Sequence, residues 1–229
     1  MKRIGLLGGM SWESSVEYER IINEAVRERL GGTHSADLII RSYDFAAIEA
    51  LQEAGDWERA GELLASDARV LEEAGAELLV LCTNTMHKLA DRISDAVSIP
   101  FLHIADATHD AISRSDVDTV ALLGTRYTME QRFYRDRIET LGTKVLIPDE
   151  PDRSMIHDVI FEELVLGVVS PQSKAAYLHA VKRLIEQGAQ GVIAGCTEIE
   201  MLIGPDDVDV PFFATASIHA LAAVEASFS

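Results

Sequence analysis

Short apolar runs alternate along the whole chain with longer stretches whose apolar residues recur at helical spacing. Lys2-Arg3-Ile4-Gly5-Leu6-Leu7 predicts a strand that enters the turn Gly8-Gly9-Met10-Ser11. Residues 12–30 then read as a helix with a stripe at Val16, Ile21, Ile22, Ala25 and Val26, closed by Gly31-Gly32. Leu38 to Ser42 is a second strand, followed by a short helix through Gln52 and a longer one over 56–73. Leu78 to Cys82 is continuously apolar, the pattern of a strand covered on both faces. It gives way to Thr83-Asn84-Thr85-Met86-His87 and a helical stretch from Lys88 to Ile93. Val97 to His103 predicts a further short strand and 105–112 a helix. Strands that alternate with helices imply mostly parallel sheets, and such sheets place their ligands at the carboxyl ends of the strands.

The pattern occurs twice. Gly75-Ala76-Glu77-Leu78-Leu79-Val80-Leu81-Cys82-Thr83 matches Gly188-Ala189-Gln190-Gly191-Val192-Ile193-Ala194-Gly195-Cys196 without a gap, at 188 − 75 = 113. Thr119 to Thr125 mirrors Arg3 to Gly9 at 120 − 4 = 116, and Val210-Pro211-Phe212-Phe213 mirrors Ile99-Pro100-Phe101-Leu102 at 210 − 99 = 111. Three landmarks in one order mark an internal duplication of an α/β half. The ungapped register pairs Cys196 with Thr83, and Gly195 with Cys82. The expected fold is therefore two similar α/β domains with mostly parallel sheets, related by a pseudo-two-fold axis. In that arrangement Thr83 and Cys196 would view one ligand from opposite sides of an interdomain cleft.

Charge and cysteine content narrow the class. The formal net charge is −18, with no block of Lys or Arg, which argues against nucleic acid and anionic membranes as partners. So acidic a surface is read as a solubility feature. No targeting or membrane-spanning segment is visible in the sequence, and two cysteines without secretory signals point to a reducing, cytoplasmic setting. They are too few for a zinc cage, and no His cluster has ligand spacing, so no metal is expected.

Two proton-handling side chains on opposite faces of a small ligand suit inversion at carbon: one removes the Cα proton and the other delivers one. A thiol suits this task because its pKa of about 8.5 falls readily beside cations or helix N-termini. Cys196 sits at such a start, while Glu198 and Glu200 oppose thiolate formation unless they are hydrogen-bonded elsewhere. Met10 and Ser11 are placed to offer backbone N–H groups to a carboxylate. Asn84, Thr85, Thr125, Thr128 and Thr197 are small hydrogen-bonding groups at strand ends, suited to an ammonium or carboxylate, and Glu198 joins them. Each alone also reads as turn or helix capping.

Gly-Leu-Leu-Gly-Gly-Met-Ser-Trp-Glu-Ser (5–14), Cys-Thr-Asn-Thr-Met-His (82–87), Leu-Leu-Gly-Thr-Arg-Tyr-Thr-Met (122–129) and Gly-Cys-Thr-Glu (195–198) resemble the aspartate/glutamate racemase family. The resemblance covers essentially the whole chain and is to the L-aspartate/glutamate-specific or broad-specificity amino-acid racemase branch. It implies a cofactor-independent (PLP-free) amino-acid racemase, a homodimer, with the active site between two domains. It also implies a chain crossover, with residues 1–98 plus 210–229 forming the first domain and 99–209 the second.

Most relatives carry a Cys-Asn-Thr-Ala-His type motif in the first half; aligned on Asn84-Thr85-Met86-His87, that cysteine position is Thr83, and one branch pairs Thr with Cys in this way. The expected enzyme is asymmetric, with Cys196 as thiolate base on the L-face and Thr83 as proton donor on the other. Cys82 either is a buried strand-end residue or replaces Thr83 as a second thiol. The resemblance places Gln52 against the substrate side chain. His87 is either near the thiol region or a structural helix histidine, and His103, His109 and His219 have no evident partner. Aspartate or glutamate needs a fixed cation, for which Arg41, Lys88 and Arg126 are the candidates, and a small polar amino acid such as homoserine is the other option. The alternatives are a one-thiol decarboxylase of the arylmalonate type, a hydantoin racemase-like or maleate isomerase-like enzyme, and a non-catalytic amino-acid binding protein.

Overall fold

The computed structural model describes residues 1–229. The first half runs β1 (Ile4–Gly8), α1 (Trp12–Leu30), β2 (Leu38–Ser42), α2 (Phe45–Glu53), α3 (Trp57–Glu73) and β3 (Leu78–Leu81). A 3-10 turn over Thr85–Leu89, α4 (Ala90–Ser94), β4 (Phe101–Leu102) and α5 (Ile104–Ile112) complete it. The second half runs β5 (Thr119–Gly124), α6 (Arg126–Glu130), α7 (Arg132–Thr140), β6 (Lys144–Leu146), α8 (Asp152–Glu162) and α9 (Pro171–Glu186). It ends with β7 (Gly191–Gly195), α10 (Ile199–Leu202), β8 (Phe212–Ala214) and α11 (Thr215–Phe228). None of the helices is long and apolar enough to cross a membrane.

Two four-stranded sheets result, ordered β2-β1-β3-β4 and β6-β5-β7-β8, and every strand pair in both is parallel. The orders are identical once four is added to each strand number. The residue registers repeat as well. Ile4 lies opposite Leu78 and Val120 opposite Gly191, where 120 − 4 = 116 and 191 − 78 = 113. Leu79 lies opposite Phe101 and Val192 opposite Phe212, where 192 − 79 = 113 and 212 − 101 = 111. The offsets read from sequence are thus the offsets of the sheets themselves.

The central strands β1, β3 and β7 are wholly buried and β5 nearly so, which is why each is a continuous apolar run. Each sheet has its own core. Leu7, Leu64, Leu79 and Ile93 belong to the first, and Leu123, Ile160, Tyr177 and Val192 to the second. On α1 the buried positions are Ser14, Ser15, Tyr18, Ile22 and Val26, whereas Val16 is 49% exposed. The stripe read from apolar residues alone was rotated, because Tyr18 and two serines occupy the face towards the sheet.

The chain divides into Met1–Ile104 with His219–Ser229, and Ala105–Ile218. The expectation of 1–98 plus 210–229 and 99–209 placed both crossings earlier. It assigned Phe101-Leu102 to the second unit and Phe212-Phe213 to the first, but β4 pairs with β3 and β8 with β7. Each half therefore keeps its fourth strand, and the crossings fall in the first turns of α5 and α11.

Candidate active site

In the first unit β1 and β3 are neighbours, so the turn after β1 (Met10, Ser11) and the turn after β3 (Thr83, Asn84, Thr85) emerge side by side at the carboxyl edge of that sheet. Gly9 makes the first turn possible. Its φ is +80°, and a Cβ there would sit 2.3 Å from the Tyr43 backbone nitrogen. Ser11 caps α1, accepting from the Ser14 N–H at 3.4 Å, and Met10 packs its side chain into the core. Asn84 and Thr85 are buried at the start of the 3-10 turn. Gln52 is also buried, with its amide donating to the Met86 sulfur at 3.1 Å.

The second unit repeats the device. Thr125 caps α6, accepting from the Thr128 N–H at 3.3 Å, and the two hydroxyls lie 3.2 Å apart. Beside this turn β7 ends in Gly195, followed by Cys196, Thr197 and Glu198.

The register decides which residues correspond. Cys82 follows Leu81, which pairs with Leu7, and the Cys82 N–H donates to the Leu7 carbonyl at 2.8 Å. Cys82 is thus the counterpart of Gly195, which lies opposite Gly124. A side chain has no room at 195: its Cβ would fall 2.8 Å from the Leu123 carbonyl oxygen and 2.8 Å from a Leu122 methyl. The second half therefore cannot carry its thiol where the first half carries Cys82. It carries one at the next position, the counterpart of Thr83. Cys82 is 0% exposed, and burial pushes its thiol far above the ordinary range. Thr83 and Cys196 are each 8% exposed.

The state of Cys196 departs from the sequence reading. Its thiol donates to Glu198 Oε2 at 2.8 Å, and the Thr197 hydroxyl donates to the same oxygen at 2.8 Å. Burial pushes the Cys196 pKa well above its usual value, and the Glu198 carboxylate raises it further by charge and by accepting the thiol proton. The expected help from a following helix is weak because α10 has only four residues. Glu200 behaves differently, accepting from the Ala216 N–H at 3.1 Å and the Ser217 hydroxyl at 2.9 Å. Glu198 therefore acts on the thiol directly and Glu200 only at a distance. At rest the site holds a thiol poised on a carboxylate.

The three candidate cations are engaged within their own units. Arg41 donates to Asp67 at 2.9 Å and lies over the Tyr43 ring; Lys88 stacks on Trp57 at 3.8 Å. Arg126 donates to Ser154 at 3.3 Å and lies 3.8 Å from Glu130. No group of three His, Cys, Asp or Glu side chains is arranged to hold a metal ion.

Sequence reasoning missed the contact of Cys196 with Glu198, and it missed Tyr177, which shares the core around Cys196 and donates to the Ile156 carbonyl at 2.7 Å. It also left the histidines without partners. His219 Nδ1 meets the Tyr18 hydroxyl at 2.9 Å and Nε2 meets the Leu102 carbonyl at 3.0 Å, while the His103 ring packs against His87 at 4.6 Å.

A sequence profile of the family described as Asp/Glu/Hydantoin racemase matches residues 7–223. The broad specificity amino-acid racemase RacX of Bacillus subtilis is 23% identical, over 96% of each chain. Two solved structures align over the full length of both chains. One is a candidate Asp/Glu racemase from Yersinia pestis, at 51% identity and a TM-score of 0.93. The other is PH1733, an aspartate racemase homologue from Pyrococcus horikoshii, at 34% identity and a TM-score of 0.87. With the duplicated sheets and the paired strand-end turns, these matches place the chain among the isomerases: it belongs to the Asp/Glu/hydantoin racemase family.

Proposed function

We propose that this protein racemises a small amino acid without a cofactor, with Cys196 and Thr83 addressing opposite faces of Cα. The observation that carries the reading is the register equivalence of these two residues, each one step past the matched pair Cys82 and Gly195 and each beside a capped turn. In the L-to-D direction the Cys196 proton passes to Glu198, and the thiolate takes the Cα proton. The Thr83 hydroxyl protonates the opposite face and is recharged from water, while Glu198 releases its stored proton to solvent, so that the proton drawn from water is returned and the site is reset. Glu198 thus has a role beyond the substrate contact expected of it. It stores the proton that must leave before the thiol can act as a base.

The engaged state of Arg41, Lys88 and Arg126 favours a substrate whose side chain is polar and uncharged over aspartate or glutamate, since a buried carboxylate needs a fixed cation. The breadth given in the name of RacX accords with this preference.

The test is Cα exchange in heavy water, started from each enantiomer of a panel of amino acids. Thr83→Ala retains exchange from the L-enantiomer, because Cys196 can return a deuteron to the face it deprotonated, and loses exchange from the D-enantiomer. Cys196→Ser loses exchange from L, and Cys82→Ala changes neither. Two-way exchange that survives Thr83→Ala and disappears with Cys82→Ala would transfer the role to Cys82. Release of carbon dioxide from a malonate, without amino-acid exchange, would select decarboxylation instead.

A further inference from the structure

His87 lies one helical turn beyond Thr83, is buried, and uses both ring nitrogens on backbone groups. The Ile104 N–H, which can only donate, points at Nε2 at 3.1 Å, so Nε2 is bare and accepts. The ring proton is then on Nδ1, which donates to the Thr83 carbonyl oxygen at 2.7 Å. In a regular α-helix that carbonyl would receive the backbone N–H of residue 87. Here the His87 N–H bonds to Asn84 at 3.1 Å, in the tighter 3-10 pattern, and the ring takes its place. The Thr83 N–H is held by the Leu81 carbonyl at 2.9 Å, so both backbone groups of Thr83 are tied.

The other end of the His87 clasp is equally fixed. Ile104 opens α5 directly after β4, and β4 is anchored in turn by His219, whose Nε2–H donates to the Leu102 carbonyl at 3.0 Å and whose Nδ1 accepts from Tyr18 at 2.9 Å. The rings of Phe101, His103 and His219 lie 5.6, 4.6 and 5.7 Å from that of His87 and leave it no room to swing. With both nitrogens committed to backbone, the ring has no lone pair or proton to spend on a substrate.

We propose that His87 is a positioning residue, whose Nδ1–H clasps the Thr83 carbonyl and, braced on the Ile104 N–H, aims the Thr83 hydroxyl at the substrate. The proposal rests on the reading of Thr83 as the proton donor. Two near-isosteres separate the two halves of the clasp. The amide N–H of an asparagine falls near the place of Nδ1–H, so His87→Asn keeps the tie to Thr83 and drops the one to Ile104. The longer side chain in His87→Gln reaches the position of Nε2 with its carbonyl oxygen, keeping Ile104 and dropping Thr83.

The readout is Cα exchange from each enantiomer in heavy water. His87→Gln is expected to lose roughly 10²-fold in exchange from the D-enantiomer, the cost of a misplacement of about an ångström. Exchange from L depends on Cys196 in the other unit and stays within about threefold, while His87→Asn stays near wild type in both directions, a split that general loss of stability would not produce. Equal losses from both enantiomers, or Asn and Gln variants that behave alike, overturn the proposal. Thr83→Ala runs in parallel. If it keeps exchange from D, the parent reading fails and this one with it; if it loses exchange and His87→Gln does not, only the positioning role fails. Should the Gln variant not fold, nitrogen NMR of histidine-labelled wild-type protein decides: a protonated Nδ1 and bare Nε2 at His87 support the clasp, and the opposite tautomer excludes it.

Discussion

His219 should make the protein sensitive to mild acid, by an amount that can be worked out. It is fully buried, accepts from Tyr18 at Nδ1 and donates to Leu102 from Nε2, so it is held as the neutral Nε2–H tautomer. Burial lowers its pKa to about 3, with His103 adding to the shift and the Leu102 carbonyl opposing it. In the unfolded chain the same imidazole titrates near 6.5. Between these values the unfolded state binds a proton that the folded state refuses, so stability falls as the pH falls. Above about pH 7.5 the effect is negligible; by pH 5 it amounts to about 2 kcal/mol, and only below the folded pKa would it approach its limit of about 5 kcal/mol, at ~1.4 kcal/mol per unit. Two kcal/mol is a large fraction of a typical net stability of about 5–15 kcal/mol.

The perturbation is His219→Gln combined with Tyr18→Phe. The glutamine amide can still donate to Leu102, and the phenylalanine removes the hydroxyl that would otherwise lose its acceptor. Urea unfolding at several pH values between 7.5 and 5 measures both proteins. That range lies above the carboxylate titrations, and the remaining histidines cancel in the difference. Whatever the gap in stability at pH 7.5, it should move in favour of the variant by about 2 kcal/mol at pH 5. Parallel curves for the two proteins would refute the reasoning, since they would mean that His219 titrates alike in both states.

Two further predictions concern the site and its frame. Glu198→Gln removes the charge and the acceptor that hold the Cys196 proton, so the thiol should ionise at lower pH while racemisation falls by roughly 10²–10⁴-fold; thiolate absorbance against pH and Cα exchange should therefore move in opposite directions. Gly9 and Gly31 have nearly the same φ, +80° and +76°, but a Cβ at Gly9 meets the Tyr43 backbone at 2.3 Å and one at Gly31 meets nothing within 4 Å. Gly31, with ψ of −177°, sits in backbone space open essentially to glycine only, so Gly31→Ala should cost about 1–3 kcal/mol, and Gly9→Ala clearly more in urea unfolding because it adds the clash.

The parts of the fold legible in the sequence were those where a single physical demand acts on consecutive residues. The strands at the centre of each sheet are covered on both faces, so β1, β3, β5 and β7 stand out as apolar runs. At the edges that demand lapses. β6 is three residues long with Lys144 exposed and escaped notice, and the two-residue β4 was visible but was assigned to the second half although it pairs with β3, since Phe101-Leu102 would suit the edge of either sheet. The internal repeat was legible because parallel pairing propagates an offset unchanged: a shift of 113 in β3 and 111 in β4 must persist in β7 and β8 if the ladders are to close alike.

The same repeat explains why the chemistry was half legible. Register alone pairs Thr83 with Cys196, and the crowding at Gly195 gives the physical reason that the second half has no cysteine in the place of Cys82. What register cannot convey is where a side chain two residues further on will turn. Glu198 reaches back to Cys196 because the backbone after β7 leaves extended geometry before α10 begins, a path that neither strand nor helix periodicity describes. The consequence is a chemical asymmetry between two copies of one sheet topology. In the first half a neutral hydroxyl is braced through its own carbonyl by a neutral histidine, and in the second a thiol is kept protonated by a carboxylate. A hydroxyl gives a proton readily to a carbanion but takes one poorly, whereas a thiol that first hands its proton to a carboxylate can do both. On the proposed reading, the two copies share one sheet topology and divide the work of inversion unequally.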